Sequence, residues 1–210
     1  MIEEIKPLFE DEKTVERIKS RLPELFNIAE LESQRAGKIG MEVGTIRERI
    51  LSALLIYRFG EENVKTDIPT TEAELDVLLF GKPISIKTIT GKGVAGVKLI
   101  WTVDAAKAKE FSENYNPSCN ILFSHINWEN GGGLYFIPIE VQIEVLEKIG
   151  KENYIKLPKE GTNPRGVEMH GDAMKILTVD KRTLCIPIDW KREKIDFNAF
   201  ERWVDHWAKE

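Results

Sequence analysis

Cysteine and histidine are scarce in this sequence, with two cysteines and three histidines among 210 residues. Cys119 and Cys185 stand in apolar runs and show neither the Cys-x-x-Cys nor the Cys/His spacing of a zinc site. We therefore expect structural thiols in a reducing cytoplasm, not a zinc centre or a disulfide framework. The sequence also lacks a Gly-x-x-x-x-Gly-Lys-Ser/Thr phosphate-binding loop, so no nucleotide cofactor is expected.

Long apolar runs are absent too. No run approaches the ~18 apolar residues that a membrane helix requires, so no membrane partner is expected. The first six residues, MIEEIK, lack the basic and apolar regions of a secretion signal, which predicts a cytoplasmic protein. There is no internal repeat, and 42% of the residues are hydrophobic. The expectation is a single domain over residues 1–210, with an appended C-terminal lobe from about residue 153 as a variant of it.

Acidic residues outnumber basic ones, for a net charge of −5, and this balance by itself disfavours nucleic acid as a partner. The charge is nevertheless unevenly distributed. Residues 81–109 contain six lysines and only one acidic residue, Asp104. Because each phosphate contact is local, such a stretch can bind DNA even in an acidic protein; a solvated lysine surface is the alternative.

The spacing of apolar residues predicts an α/β fold in which a mixed β-sheet is flanked by helices. A strong helix is predicted from Thr45 to Phe59, closed by Gly60. Two strands at 74–80 and 83–89 follow it as a hairpin. Further predicted elements are a strand at 98–103, a helix capped by Asp104, strands at 120–128 and 134–137 around a glycine turn at 130–133, and a closing helix at 197–209. The apolar stripe of that closing helix is expected to pack in the core, with a dimer contact as the alternative.

The predicted hairpin around Gly81-Lys82 is the most informative segment. If these two residues form the loop, Phe80 pairs with Pro83, and Asp76 lies directly opposite Lys87. A carboxylate and an ammonium group then meet on one face of an otherwise apolar ribbon. Charges are costly to bury, so the pair points to a functional site; the alternative is a cross-strand salt bridge, and the pattern leaves both open.

Glu48 is the third candidate. It lies on the same stripe of the predicted helix as Leu51 and Leu55, so its carboxylate projects from a largely apolar face. The alternative is a capping box, because Thr45 to Glu48 fits the Ser/Thr-x-x-Glu pattern in which the glutamate bonds the backbone N–H of the first residue.

Together these residues resemble the active site of PD-(D/E)XK nucleases, and within that superfamily the ThaI type of restriction endonuclease. The residues that carry the resemblance are Glu48, Asp76, and the segments 85–88 and 90–93. It extends from about Glu32 to Trp101, with a weaker similarity at 163–168. Ser85 departs from the superfamily pattern, because it occupies the position of the usual second acid. In this resemblance Glu48 supplies the missing carboxylate.

The resemblance implies a restriction-endonuclease-like core and a type II restriction endonuclease that hydrolyses phosphodiester bonds in double-stranded DNA. It implies magnesium (Mg2+) as the cofactor, with Glu48, Asp76 and the Ile86 carbonyl as ligands. Lys87 would orient the attacking water and stabilise charge in the transition state. A short palindromic site, CGCG, is also implied, and a palindrome implies a two-fold symmetric homodimer. The alternatives are a structure-selective repair nuclease or junction resolvase, and a catalytically inactive DNA-binding module on the same fold.

Several residues are expected to contact DNA. They are Met41, Ser85, Thr88, Lys92, Lys98, Asn163, Arg165 and Glu168. Met41 lies in a glycine-rich loop and is expected to wedge between base steps, with core filling as the alternative. Lys92 and Lys98 would bind phosphates, with a mobile solvated turn as the alternative. Asn163, Arg165 and Glu168 suit base reading, although the turn chemistry of Asn163-Pro164 also accounts for that segment.

Overall fold

The computed structural model of the chain describes residues 1–69, 74–158 and 166–209. Its helices are α1 (Ile2–Glu10), α2 (Glu12–Ser33), α3 (Val43–Phe59), α4 (Ala105–Asn114), α5 (Ile139–Ile149), α6 (Lys151–Tyr154), α7 (Gly171–Val179) and α8 (Glu201–Trp207). Its strands are β1 (Gln34–Arg35), β2 (Lys38–Ile39), β3 (Val64–Lys65), β4 (Val77–Leu79), β5 (Lys82–Thr90), β6 (Lys98–Ile100), β7 (Asn120–Ile126), β8 (Asn130–Ile137), β9 (Ile155–Lys156), β10 (Val167–Met169) and β11 (Leu184–Trp190). No helix within the described residues combines the length and the apolar character needed to cross a membrane.

A six-stranded sheet organises the fold, with the strand order β11-β8-β7-β5-β4-β3. β5 and β7 run parallel, whereas every other neighbouring pair in this sheet is antiparallel. The sheet is therefore mixed and lies among helices, which confirms the predicted fold class. A small three-stranded sheet, β6-β10-β9, and the β1-β2 hairpin accompany it.

Two buried clusters lie on the two faces of the main sheet. On one face Leu51 and Leu55 of α3 belong to the same cluster as Ile84 and Ile86 of β5, together with apolar residues of α1 and α2. On the other face the cluster contains Phe123 of β7 and apolar residues of α5 and α7. Because side chains of a strand alternate between faces, Ile84 and Ile86 point toward α3, and Ser85 and Lys87 point away from it.

The glycine segment 130–133 is a strand and not the predicted turn. It forms the first half of β8 and pairs with β11, with Gly132 opposite Ile188. A Cβ atom at Gly132 would lie 2.3 Å from the His125 carbonyl oxygen and 2.7 Å from Nε1 of Trp190. Glycine is needed here for close packing between strands, and the chain reverses earlier, at Glu129, which has φ of 63°.

The C-terminal helix also differs from the prediction. α8 has no buried residue, and the apolar side chains of the helix and of its N-cap are exposed: the N-cap Phe200 by 73%, Trp203 by 54%, Val204 by 62% and Trp207 by 90%. The prediction that this stripe packs in the core is therefore wrong. A dimer contact, the other role considered for the stripe, stays a prediction.

Candidate active site

The β4-β5 hairpin carries two of the three candidate residues, and its loop differs from the prediction. The loop is Phe80-Gly81, and both residues have positive φ, 51° and 73°, as a type I′ turn requires. Val77 pairs with Ile84 and Leu79 with Lys82, so the register is two residues away from the predicted one. The predicted pairing of Asp76 directly opposite Lys87 is therefore wrong.

A shift of two residues keeps every side chain on its predicted face, because the side-chain period of a strand is two. Asp76 and Lys87 consequently remain close, as diagonal neighbours, with 3.6 Å between Oδ2 and Nζ. Asp76 Oδ2 also accepts hydrogen bonds from the backbone N–H of Ile86 at 2.6 Å and from the hydroxyl of Ser85 at 3.3 Å. The carboxylate is thus held in place by three groups of β5.

The backbone of Ile86 faces this carboxylate. In an extended strand the N–H and C=O of one residue point to the same side, so the Ile86 carbonyl lies on the side of β5 that faces Asp76. The pairing between β4 and β5 begins only at Val77. The carbonyl therefore points to the edge where Asp76 lies, as a ligand role requires.

Glu48 lies on α3, and the capping box is not formed. The helix begins at Val43, with Glu42 as N-cap and no side-chain capping bond, so Thr45 is already inside the first turn. The Glu48 side chain instead lines a pocket together with Asp76. The other residues that line this pocket are Thr45, Arg49, Ser52, Ala53, Ile56 and Thr66. Asp76, just before β4, thus connects the two other candidates: it shares the pocket with Glu48 of α3 and lies 3.6 Å from Lys87 of β5, whose charge also acts on Glu48.

The pKa of Glu48 in this pocket is unusually high for a glutamate. Burial and the nearby negative charge of Asp76 raise the pKa of Glu48 to about 7, against the opposing effect of Lys87. Two carboxylates that share a partly buried site disfavour each other's charge. Burial in this pocket therefore disfavours the charged form of Glu48, and the neighbouring Asp76 adds to that effect.

Glu74 lies near these residues and was missed by the sequence analysis. Its carboxylate accepts hydrogen bonds from the hydroxyl of Tyr115 at 3.2 Å and from that of Ser118 at 3.3 Å. Burial raises the pKa of Glu74 to about 6, while the positive charge of Lys87 lowers it. Its backbone has φ of 64°, which is uncommon outside glycine. The Glu-x-Asp spacing was the available signal, because residues two apart on a strand share a face.

The residues expected to contact DNA lie in different surroundings. Met41 is 92% exposed just before α3, so the core-filling alternative is wrong. Ser85 is only 2% exposed and bonds Asp76, so it orients that carboxylate and is poorly placed to touch DNA. Lys92 is exposed in the loop after β5, and Thr88 is half-buried within that strand.

The small sheet brings two further candidates together. Lys98 of β6 lies opposite Glu168 of β10 in the strand register. The Glu168 carboxylate also lies 3.5 Å from the ammonium group of Lys156. Asn163 and Arg165, the other residues predicted to read bases, lie outside the described residues.

The donor set for a metal is small. Among the described residues, no group of three or more histidine, cysteine, aspartate and glutamate side chains is arranged to hold a metal ion. The pocket offers two carboxylates, Glu48 and Asp76, and the backbone N–H of Ile86 bonds the second of them. Magnesium is commonly held by one or two carboxylates together with water and substrate phosphates, so this set is of the size it uses.

Comparisons with known proteins identify the family of the chain. The sequence profile of the family described as "Restriction endonuclease ThaI" matches residues 8–209. A solved structure described as "Restriction endonuclease in complex with substrate DNA" has a TM-score of 0.92 and 57% sequence identity, and covers 98% of this chain and 99% of its own. Comparison with curated proteins finds no match. The chain therefore belongs to the ThaI restriction endonuclease family, whose members are site-specific deoxyribonucleases.

Proposed function

We propose that this restriction endonuclease hydrolyses double-stranded DNA in a magnesium-dependent reaction, with Glu48, Asp76 and Lys87 as its catalytic residues. The observation that carries the proposal is the ion pair of Asp76 and Lys87, 3.6 Å apart, beside the pocket that Asp76 shares with Glu48. Restriction endonucleases generally use divalent metal ions. Two carboxylates beside a lysine, one of them with a raised pKa, are the arrangement that such chemistry uses.

The two carboxylates suit a hard cation. Within the described part of the chain, both hydrogen bonds to Asp76 reach Oδ2, so Oδ1 is available for a cation. Burial and, after it, the negative charge of Asp76 raise the pKa of Glu48, and a bound cation would favour the charged form of this carboxyl. We assign Glu48, Asp76 and the Ile86 carbonyl as ligands. When bound, magnesium supplies activation of water and neutralises charge on the phosphate.

The protein's own groups have separate tasks. Lys87 orients the attacking water and stabilises the developing negative charge, and Asp76 holds the lysine at the distance observed. The Ser85 hydroxyl and the Ile86 N–H fix the carboxylate of Asp76 in one orientation. Such fixed groups need no rearrangement when the reaction occurs, which lowers the barrier.

DNA binding is assigned to surfaces around this pocket. The relative of known structure is described as bound to substrate DNA. By analogy we assign a wedge role to Met41, phosphate contacts to Lys92, Lys98 and Thr88, and base contacts to Asn163, Arg165 and Glu168. The proposed site is a short palindrome, CGCG, cut by a homodimer in the cytoplasm.

Substitution of the ion pair tests the proposal. Asp76→Ala and Lys87→Ala should each abolish cleavage of plasmid DNA with magnesium, while binding of a duplex stays measurable. Each substitution removes a group that takes part in the reaction, and it leaves the residues assigned to DNA contacts in place. The matched controls are Asp172→Ala and Lys175→Ala, which break an exposed pair joined at 2.7 Å outside the pocket. The controls should cleave like the wild type.

Turnover at the wild-type rate by either pocket variant would make the assignment wrong. End-sequencing of the wild-type fragments then gives the recognition sequence. Discrete bands from intact duplex are expected of a restriction enzyme, whereas a need for branched or damaged DNA would contradict the proposed substrate.

A further inference from the structure

A buried network of charged and aromatic residues lies beside the active site. At its centre is Glu30 of α2, only 5% exposed. One oxygen of its carboxylate accepts from the guanidinium of Arg47 and, at 2.7 Å, from the indole N–H of Trp128. The other oxygen accepts from Arg192 at 2.6 Å. The carboxylate therefore accepts hydrogen bonds from three separate parts of the chain.

Arg47 connects this network to the two elements that carry the catalytic residues. It is 4% exposed and precedes Glu48 on α3. While one guanidinium nitrogen bonds Glu30, the other donates to the hydroxyl of Thr90 at 2.9 Å. Thr90 ends β5, three residues after Lys87. A single planar group thus spans α2, α3 and β5.

We infer that Arg47, anchored by Glu30, is a positioning residue that sets the rotation of α3 against β5 and so places Glu48 relative to Lys87. This inference rests on the proposed function of Glu48, Asp76 and Lys87. Side-chain atoms lie about 5–6 Å from a helix axis, so a rotation of about 20° displaces a carboxylate by about 2 Å. Catalytic groups tolerate much less, about 0.5 Å.

A role in stability alone accounts less well for the network. Buried ion pairs are often no more stabilising than apolar side chains of the same volume, because both charges lose their hydration. Burial lowers the pKa of Arg47, while the charge of Glu30 opposes that effect. Among the described residues, Arg47 Nε also lacks a hydrogen-bond partner, which adds a cost. The geometry of the guanidinium fork, which reaches both Glu30 and Thr90, is what an apolar residue cannot reproduce.

Three variants test the inference in the full-length protein. Arg47→Met removes both bonds, Arg47→Lys keeps a charge for Glu30 but cannot also reach Thr90, and Thr90→Val removes only the bond to β5. The measurements are the single-turnover cleavage rate, its dependence on magnesium concentration, the Kd for duplex DNA and the Tm. Arg182→Met, which breaks exposed ion pairs with Glu144 and Asp180, is the control.

The expected rate of Arg47→Met is about 10- to 100-fold below the wild type, as for a misplaced catalytic group. Its half-saturating magnesium concentration should rise, and its Kd for DNA should be unchanged. Arg47→Lys should recover part of the rate. The cleavage rate of Thr90→Val should be about 2- to 10-fold below the wild type, because this variant loses one hydrogen bond. A purely structural network would lower the Tm and leave the magnesium dependence as it is.

Wild-type rate and magnesium dependence in folded Arg47→Met, or in Thr90→Val, overturn the inference. If Arg47→Met does not fold, Thr90→Val decides, because it is conservative and at an exposed strand end. Asp76→Ala is measured in parallel. If Asp76→Ala cleaves normally, the proposed active site itself is wrong; if it is inactive while either folded network variant cleaves normally, only the positioning role is lost.

Discussion

Met41 has the most exposed large apolar side chain in the described part of the chain, at 92%. It lies between the β1-β2 hairpin and the start of α3, the helix that carries Glu48. An exposed methionine gains nothing for the fold of a single chain, because its apolar surface stays in water. Insertion between base steps would bury that surface on the substrate, close to the helix that lines the active site.

Replacement of Met41 measures this role. Met41→Ala should weaken binding of the duplex by about 1.5–3 kcal/mol, the value of burying such a side chain, which corresponds to roughly 10- to 100-fold in Kd. The free energy of unfolding should be unchanged because the side chain is exposed. Fluorescence anisotropy with a labelled duplex and a denaturant titration measure the two quantities.

A matched control for Met41 is Val179→Ala, which truncates another exposed apolar side chain, 81% exposed at the end of α7. It should leave the Kd unaltered. Equal affinities and cleavage rates for Met41→Ala and the wild type would rule out the wedge.

Among the elements, the β4-β5 hairpin shows how far the sequence alone could predict the site. The face on which Asp76 and Lys87 lie was predictable, because a strand alternates and only an odd shift in register changes it. The position of the loop was not predictable, because phenylalanine, the residue at position 80, is favoured in strands. Its positive φ is stabilised by contacts outside the hairpin: its N–H bonds the Asn63 carbonyl at 2.8 Å, and its ring lies 5.6 Å from that of Phe59.

Other elements show the same difference between local signals and contacts with distant parts of the chain. Local signals located α3 and its end at Gly60, whose N–H bonds the Ile56 carbonyl at 2.8 Å, and the cap of α4 by Asp104. The glycines of β8 predict a turn by composition, whereas their role in the strand depends on the Trp190 side chain of a distant strand. Arg47 gave no signal at all, because its partner Glu30 lies on another helix. Local patterns could be predicted, and contacts between elements could not.

The turn of the hairpin makes a quantitative prediction. Gly81 has φ of 73°, and a Cβ atom there would meet nothing within 4 Å, so only the backbone conformation opposes a larger residue. Gly81→Ala should therefore lower the free energy of unfolding by about 1–2 kcal/mol, the cost of the left-handed conformation. Equilibrium denaturation with urea measures it.

Gly44→Ala is the matched control for the turn. Gly44 lies in the first turn of α3, where an added Cβ also meets nothing within 4 Å, but the backbone is helical. Alanine should raise the free energy of unfolding there by about 0.5–1 kcal/mol. A loss of stability at Gly44 as large as that at Gly81 would contradict the assignment of the cost to backbone conformation.

For the whole molecule, the question is how one active site per chain cuts two strands. The described chain brings together one set of Glu48, Asp76 and Lys87. A palindrome presents the same sequence on both strands, so a two-fold dimer places one active site at each scissile bond. The exposed apolar side chains of α8 agree with a surface that is covered in an assembly, because monomers rarely expose large apolar patches.

A mixed dimer tests this arrangement directly. Wild-type and Asp76→Ala chains that carry different tags are co-expressed, and the species that bears both tags is isolated. With one competent active site it should nick supercoiled plasmid and accumulate the open circle, because only one strand is cut in each binding event. A mixed dimer of wild-type and Asp172→Ala chains should instead convert the plasmid to linear DNA like the wild type. A dimer with one active site per strand would be contradicted if the mixed dimer with Asp76→Ala formed linear product at the wild-type rate. It would also be contradicted if the protein bound its site with the mass of one chain.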